Sequence, residues 1–246
     1  RISAYQIWNE PNLEREWGGL TPNAGDYVDL LRACSEAIRG ADPDAIIISA
    51  GLAPTGRHDD AVHRDDIYLQ DMYTAGFQQY VDVVGVHAPG YNIAPYGPDD
   101  AERNGEGRWA TFRRVEDLRK IMIRNGDAGR QMAILEMGYT TDTRPGSGYA
   151  WFAVSEEEQA RRMIDAYAYI AEHWRPWVGL VSAIYIPNPL WTPDDEQYYW
   201  SLTDPEMIEI LPVFDAIVHM PRYCGEIIAP TPTYEEAGRI SDNPCN

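Results

Sequence analysis

Lysine is almost missing from this chain. Lys120 is the only one among 246 residues, and the basic side is otherwise arginine. Acidic residues outnumber basic ones 39 to 20, for a net charge of −19. Nucleic acid and anionic membrane surfaces both need basic patches, so neither is expected as a partner. No apolar run approaches the ~18 residues of a membrane-spanning helix, so no span is expected. Nothing at the N-terminus has the charged, then apolar, then small-residue layout of a signal peptide. Cysteine is scarce, with three in all. Cys34 falls in a helix-like stretch and reads as a small buried hydrophobe. Cys224 and Cys245 flank a Pro-rich tail, and a disulfide between them requires an exported protein. The cysteine spacing fits no zinc motif, and neither a metal nor a cofactor is expected.

What is present is an alternation of short apolar runs and longer amphipathic ones. Strands are expected over Tyr5–Trp8, Ala45–Ala50, Val81–His87, Gln131–Glu136 and Val178–Ile186. Helices are expected over Asp26–Arg39, closed by Gly40, and over Asp65–Ala75, Phe112–Arg124, Ser155–Trp174 and Glu206–His219. Ser155-Glu156-Glu157-Glu158 is a capping box opening the fourth. Strands separated by helices imply parallel βαβ units, and near-continuous apolar strands imply cover on both faces. An α/β fold follows, in one large domain over residues 1–220. Residues 221–246 form an irregular Pro-rich tail expected to pack on its outside. A doubly wound sheet and a barrel both fit this order. No Gly-rich phosphate loop follows the first strand, which weighs against nucleotide binding.

In a parallel barrel, functional groups sit at the C-terminal ends of strands. The polar residues there are Asn9 and Glu10, His87, Glu136, and Asn188 with Trp191. Two of these are carboxylic acids following apolar strands. Cleavage of a glycosidic bond needs such a pair on separate elements, one protonating the leaving oxygen and the other attacking the anomeric carbon. Aromatic residues in loops after strands (Trp17, Tyr96, Trp109, Tyr139, Tyr149 and Trp151) supply faces on which sugar rings can stack. Individually, such residues more often serve to anchor long loops.

Trp8-Asn9-Glu10-Pro11 resembles the end of the fourth strand in the clan A glycoside hydrolases, the (β/α)8 superfamily that includes family 5 cellulases and family 39 enzymes. Leu135-Glu136-Met137-Gly138-Tyr139 resembles the end of the seventh. Between the two glutamates there is room for three βα units of ~42 residues each, an ordinary size for such a barrel. The resemblance implies a TIM barrel present from about strand 4 to helix 8. It implies Glu10 as acid/base, Glu136 as nucleophile and Asn9 as holder of the sugar 2-hydroxyl. Val86-His87, followed by Tyr91, resembles the end of the sixth strand, where the side chain touches the nucleophile or the sugar. Trp191 stands for the aromatic platform after the eighth strand, and Tyr139 for the aromatic that follows the nucleophile.

The reaction so implied is retaining hydrolysis of a β-linked oligo- or polysaccharide. Glu10 then needs a raised pKa, which the charge of Glu136 would partly supply. An extracellular or cell-surface location goes with these expectations. The chain starts at Arg1, not Met, and enters a strand at once. Three further βα units are therefore expected upstream or from another chain that completes the barrel. The alternative is an inactive barrel that binds carbohydrate or serves as a structural subunit of a larger assembly. His58 and His63, among Asp59, Asp60, Asp65 and Asp66, are five apart, which does not put two ligands on one helix face. That loop reads as a helix cap.

Overall fold

The computed structural model describes residues 2–97 and 107–221. Cys224, Cys245 and all of the expected tail except Pro221 lie outside the described residues. Five strands alternate with five helices: β1 (Ala4–Ile7), α1 (Ala24–Ala41), β2 (Ile46–Ser49), α2 (Asp65–Thr74), β3 (Val84–Pro89), α3 (Arg114–Arg124), β4 (Met132–Gly138), α4 (Glu156–Tyr169), β5 (Val178–Ala183) and α5 (Pro212–His219). Among the described residues, no helix is long and apolar enough to cross a membrane.

Most boundaries match the sequence pattern, and the exceptions have local causes. Asn23 accepts hydrogen bonds from the Gly25 and Asp26 amides, so α1 begins at Ala24, earlier than the periodicity alone predicts. Gly40 does not end that helix, because the Asp42 amide still reaches the Ile38 carbonyl. Ser155 caps α4 as expected, accepting from the Glu158 amide at 3.2 Å. The last helix begins at Pro212, not Glu206. The Asp204 carboxylate accepts from the Glu206 and Glu209 amides and holds that stretch as a turn instead.

Every strand pair is parallel. β1 pairs with β2, and β3, β4 and β5 form a second sheet in sequence order. An isolated parallel bridge, Ile48 to Val83, joins the two. Strand order therefore follows the chain throughout, with none of the reversal that defines a doubly wound sheet. The five described strands do not close into a barrel.

Two apolar layers follow from the strand alternation. One face packs under the helices through Ile7, Ile47, Val84, Val86, Met132, Ile134 and Val178. The other converges on a smaller cluster of Ile48, Val83 and Ala133, flanked by Ala4, Ile46, Leu135 and Leu180. All five strands or their immediate flanks contribute to it, which puts it on the inner side of the curved wall. Gly85 is required there: a β-carbon would fall 2.1 Å from the Ser49 carbonyl oxygen.

The register contains one feature that decides the site. Val86 pairs with Ile134, but His87 pairs with Glu136, leaving Leu135 as an extra residue in β4. This is a β-bulge. Without it, Glu136 would follow Ile134 onto the helix side. With it, Leu135 stays in the inner cluster and Glu136 also turns inward, opposite His87.

The helices are tied by charge as well as by apolar contact. Arg114, first in α3, donates from Nε at 3.0 Å and Nη2 at 2.8 Å to the two oxygens of Asp65, first in α2. Asp65 is fully buried. Arg114→Met leaves that carboxylate uncompensated and should cost about 3–5 kcal/mol. Pairing it with Asp65→Leu should restore much of the loss. Urea midpoints of the wild type, the single and the double variant check this; a single variant as stable as wild type would remove the ion pair from the account.

Candidate active site

The C-terminal ends of β1, β3 and β4 open into a cavity of about 510 Å³. Its floor is built from the three strand-end residues that alternation and the bulge turn inward. Glu10 comes from the turn after β1, His87 from β3 and Glu136 from β4. His87 Nδ1 lies 3.1 Å from Glu10 Oε1 and 3.5 Å from Glu136 Oε2. An ionised carboxylate only accepts, so beside an ionised Glu10 the Nδ1 carries the proton and donates.

The chain leaves β1 by an unusual path. Trp8 and Glu10 have φ of 68° and 42°. Left-handed backbone costs a non-glycine residue about 1–2 kcal/mol, and such strain gathers at functional sites. Here it lets two successive residues, Asn9 and Glu10, both line the cavity. A plain strand would send one of them away.

Several bonds hold the kinked turn. The Glu10 amide donates to the Gly51 carbonyl at 3.0 Å. Asn12, fully buried, donates to the Ala53 and His63 carbonyls and accepts from the Ala53 amide, all at 2.9 Å. Trp17 Nε1 donates to the Pro11 carbonyl at 2.7 Å. The Tyr27 hydroxyl donates to the Ile7 carbonyl and accepts from the Ala50 amide, stitching the ends of β1 and β2.

Two neighbours shape the electrostatics. Arg15, on a short 3-10 helix over Glu14–Trp17, donates from Nη2 to Glu10 Oε2 at 2.6 Å. Burial works to raise the Glu10 pKa, but the hydrogen bond and field of His87 and the Arg15 ion pair outweigh it, and the carboxyl sits below its ordinary range. Glu136 sits above its ordinary range, raised by burial, with His87 opposing and the Glu10 charge adding. This reverses the sequence expectation of a raised Glu10. The physical reason is the Arg15 guanidinium on Oε2, together with a His87 that lies nearer Glu10 than Glu136.

Glu10, His87 and Glu136 each offer a donor atom within 4.8 Å of the others. To hold a cation, the set would need His87 Nδ1 bare and the guanidinium withdrawn from Glu10. His58 and His63 pack ring against ring at 5.0 Å, tilted by 53°, and Asp59 accepts from the Ala61 and Val62 amides, as in a capped loop.

The cavity wall is aromatic. Tyr91 lines it, its hydroxyl donating to the Pro54 carbonyl at 3.0 Å and its ring stacked on Trp151 at 5.9 Å. Trp109, Tyr149 and Trp151 line it too. The other aromatic residues singled out by sequence do not. Tyr139 is fully buried and packs outside the cavity, its ring against Gly90 and its carbonyl accepting from Gln159 of α4. It follows Glu136 by three residues and so faces the helix layer. Trp191 lies one step back from the lining, edge-on to Tyr185 at 5.5 Å, and Tyr185 lines the wall instead. Asn188 caps the Leu190 amide in a turn. Trp17 stacks on Trp8, and Tyr96 donates to Glu172.

Gly51, Asn12, Arg15 and Tyr185 went unmarked in the sequence. For Gly51 a signal existed, a glycine directly after an apolar strand. A β-carbon there would lie 2.1 Å from His87 Cδ2 and 2.3 Å from Nε2.

No known family pattern matches the chain, and no curated protein matches it by sequence. Solved structures do match in fold. A family 39 glycoside hydrolase from Bacteroides cellulosilyticus WH2 is 19% identical, with a TM-score of 0.55 over 88% of this chain and 40% of that one. An α-L-arabinofuranosidase from Thermotoga maritima, solved as an arabinose complex, is 14% identical, with a TM-score of 0.60 over 90% and 40%. A glucosidase from Croceicoccus marinus is 12% identical, with a TM-score of 0.57 over 82% and 37%. The chain thus spans about 40% of the length of these glycoside hydrolases. At such identities the likeness is one of fold.

Gly51→Ala should drive the His87 ring off its seat. The overpacking should cost about 1–3 kcal/mol in thermal unfolding. The His87 imidazole signals in NMR should shift at the same time. An unchanged melting temperature with unmoved His87 resonances would refute the close fit.

Proposed function

We propose that this chain carries the catalytic pair of a retaining glycoside hydrolase acting on a β-linked oligo- or polysaccharide. In this reading β1 to β5 take the places of the fourth to eighth strands of a (β/α)8 barrel. Further strands, from the same polypeptide or a second chain, would close the wall. One observation carries the reading: two carboxylates, one from the turn after β1 and one from β4, bring oxygens within 4.8 Å of each other at one end of the wall, in an aromatic-lined cavity. Retaining enzymes set their carboxyls ~5–5.5 Å apart, whereas inverting ones leave ~6.5–9.5 Å for a water. The fold likeness to glycoside hydrolases supports the same class.

The chemistry is a double displacement. A Glu136 oxygen attacks the anomeric carbon while the bond to the leaving oxygen breaks and Glu10 gives that oxygen its proton. Glu10, now a carboxylate, takes a proton from water as the water oxygen attacks the same carbon, and Glu136 leaves with the electron pair of the ester bond. His87, hydrogen-bonded to Glu10 and 3.5 Å from Glu136, stands between the two carboxyls and keeps them facing each other. Asn9 and Tyr91, at the wall, would contact the sugar. Tyr139 and Trp191 lie behind the wall and would act through their neighbours. An extracellular or cell-surface setting suits this reading, since polysaccharides lie outside the cell.

A second reading has one observation in its favour. Glu10 is held ionised by Arg15, which suits a site that binds saccharide without turning it over, or a barrel kept as a structural subunit. Hydrolysis of 4-nitrophenyl β-glycosides separates the two. Glu136→Ala should reduce turnover on the order of 10⁴-fold or more while the far-UV circular dichroism stays unchanged. Early NMR spectra should show the product sugar with the anomeric configuration of the substrate. Turnover that survives Glu136→Ala would refute the nucleophile assignment, and inversion would refute the double displacement.

A further inference from the structure

Both oxygens of Glu10 are occupied, by partners of opposite character. Oε1 faces His87, whose side chain is 1% exposed and wedged against Gly51. Oε2 is held at 2.6 Å by Arg15, whose side chain is 64% exposed. The His87 ring has nowhere to go, while the arginine has solvent above it. Arg15 also donates from Nε to Glu16 at 3.1 Å, and its charge is felt by the Tyr149 hydroxyl, which lines the same cavity. The guanidinium, rooted on the short helix after β1, therefore lies over the carboxyl on the exposed side of the cavity.

On the glycosidase reading, a glycosidic oxygen must reach one oxygen of Glu10. Oε1 is blocked by a fixed group, so the approach is to Oε2, where the guanidinium now lies. We propose that Arg15 is a positioning residue: it latches the acid/base carboxyl at Oε2 and must swing out for a saccharide to engage that oxygen. The groups facing Glu10 make the latch matter. Glu136 on β4 repels its charge, Glu16 and Glu196 add two more acidic groups to the cavity lining, and Tyr91 and Tyr185 offer none to offset them. Beyond the His87 N–H, Arg15 is the one cation on it among the described residues that line the cavity. While latched, Glu10 stays ionised and cannot donate. Once Arg15 moves off, Glu136 and burial push the carboxyl towards the protonated form that the first step needs, the proton coming from bulk water.

The test does not depend on turnover. In the whole chain with ¹³C-labelled glutamate side chains, the Glu10 carboxyl is titrated by NMR, assigned with Glu10→Gln. Arg15→Gln should move its midpoint to higher pH, because a group that favours the carboxylate is gone. Arg15→Lys keeps a charge but loses the fork, and should move it less. The same order should appear in the alkaline limb of kcat/KM on a 4-nitrophenyl β-glycoside, which reports the acid of the free enzyme. A Glu10 midpoint equal or lower in Arg15→Gln would overturn the latch. Absence of hydrolysis in the wild type would instead count against the glycosidase reading and leave the titration as the test of the latch.

Discussion

One imidazole N–H stands between two carboxylates, and the rest of the site is arranged around it. Two negative charges within 4.8 Å of each other repel, more so once buried, and the protein must supply a donor or a proton to keep them together. His87 supplies the donor from a position that cannot drift, since its ring fills the space left by the missing side chain of Gly51. The Gly51 carbonyl in turn takes the Glu10 amide. A single residue at the end of β2 thus fixes the backbone of one acid and the imidazole that faces both.

The remaining cost is carried by the backbone. Trp8 and Glu10 sit in the left-handed region, and that conformation persists because Asn12, Trp17 and Tyr27 bond the chain on both sides of it. These three residues do not line the cavity. Their work is to keep a strained turn from relaxing into an ordinary strand end, in which Asn9 and Glu10 would face opposite ways. The apolar layer of Tyr91, Phe152, Ile184 and Trp200 does the corresponding task for the opposite wall.

Much of this was legible in the sequence, and the limits are physical. Alternating apolar runs located all five strands and five helices, because burial on both faces leaves a composition that loops lack. Asn9, Glu10, His87 and Glu136 were legible as polar residues closing apolar strands. The parallel order was implied by the intervening helices, but the choice between a reversed and a sequential sheet was not, since both give the same pattern along the chain. Tyr139 and Trp191 were misplaced relative to the cavity because motif position does not tell which face a residue takes beyond a strand end. Arg15 was invisible for a related reason: an exposed arginine in a charged loop looks like any other until the fold brings it over Glu10.

The bulge at Leu135 bears on how such a site can change over generations. Side-chain replacements in β4 alter packing by degrees, and a strand of apolar residues absorbs many of them. A change of register is different. If the bulge were ironed out with every residue kept, Leu135 would stand opposite His87 and the carboxylate would rotate to the helix side of the wall, whereas loss of Leu135 itself would leave Glu136 directly after Ile134 and still facing His87. The chemistry here is therefore written in the register of β4 as much as in its letters.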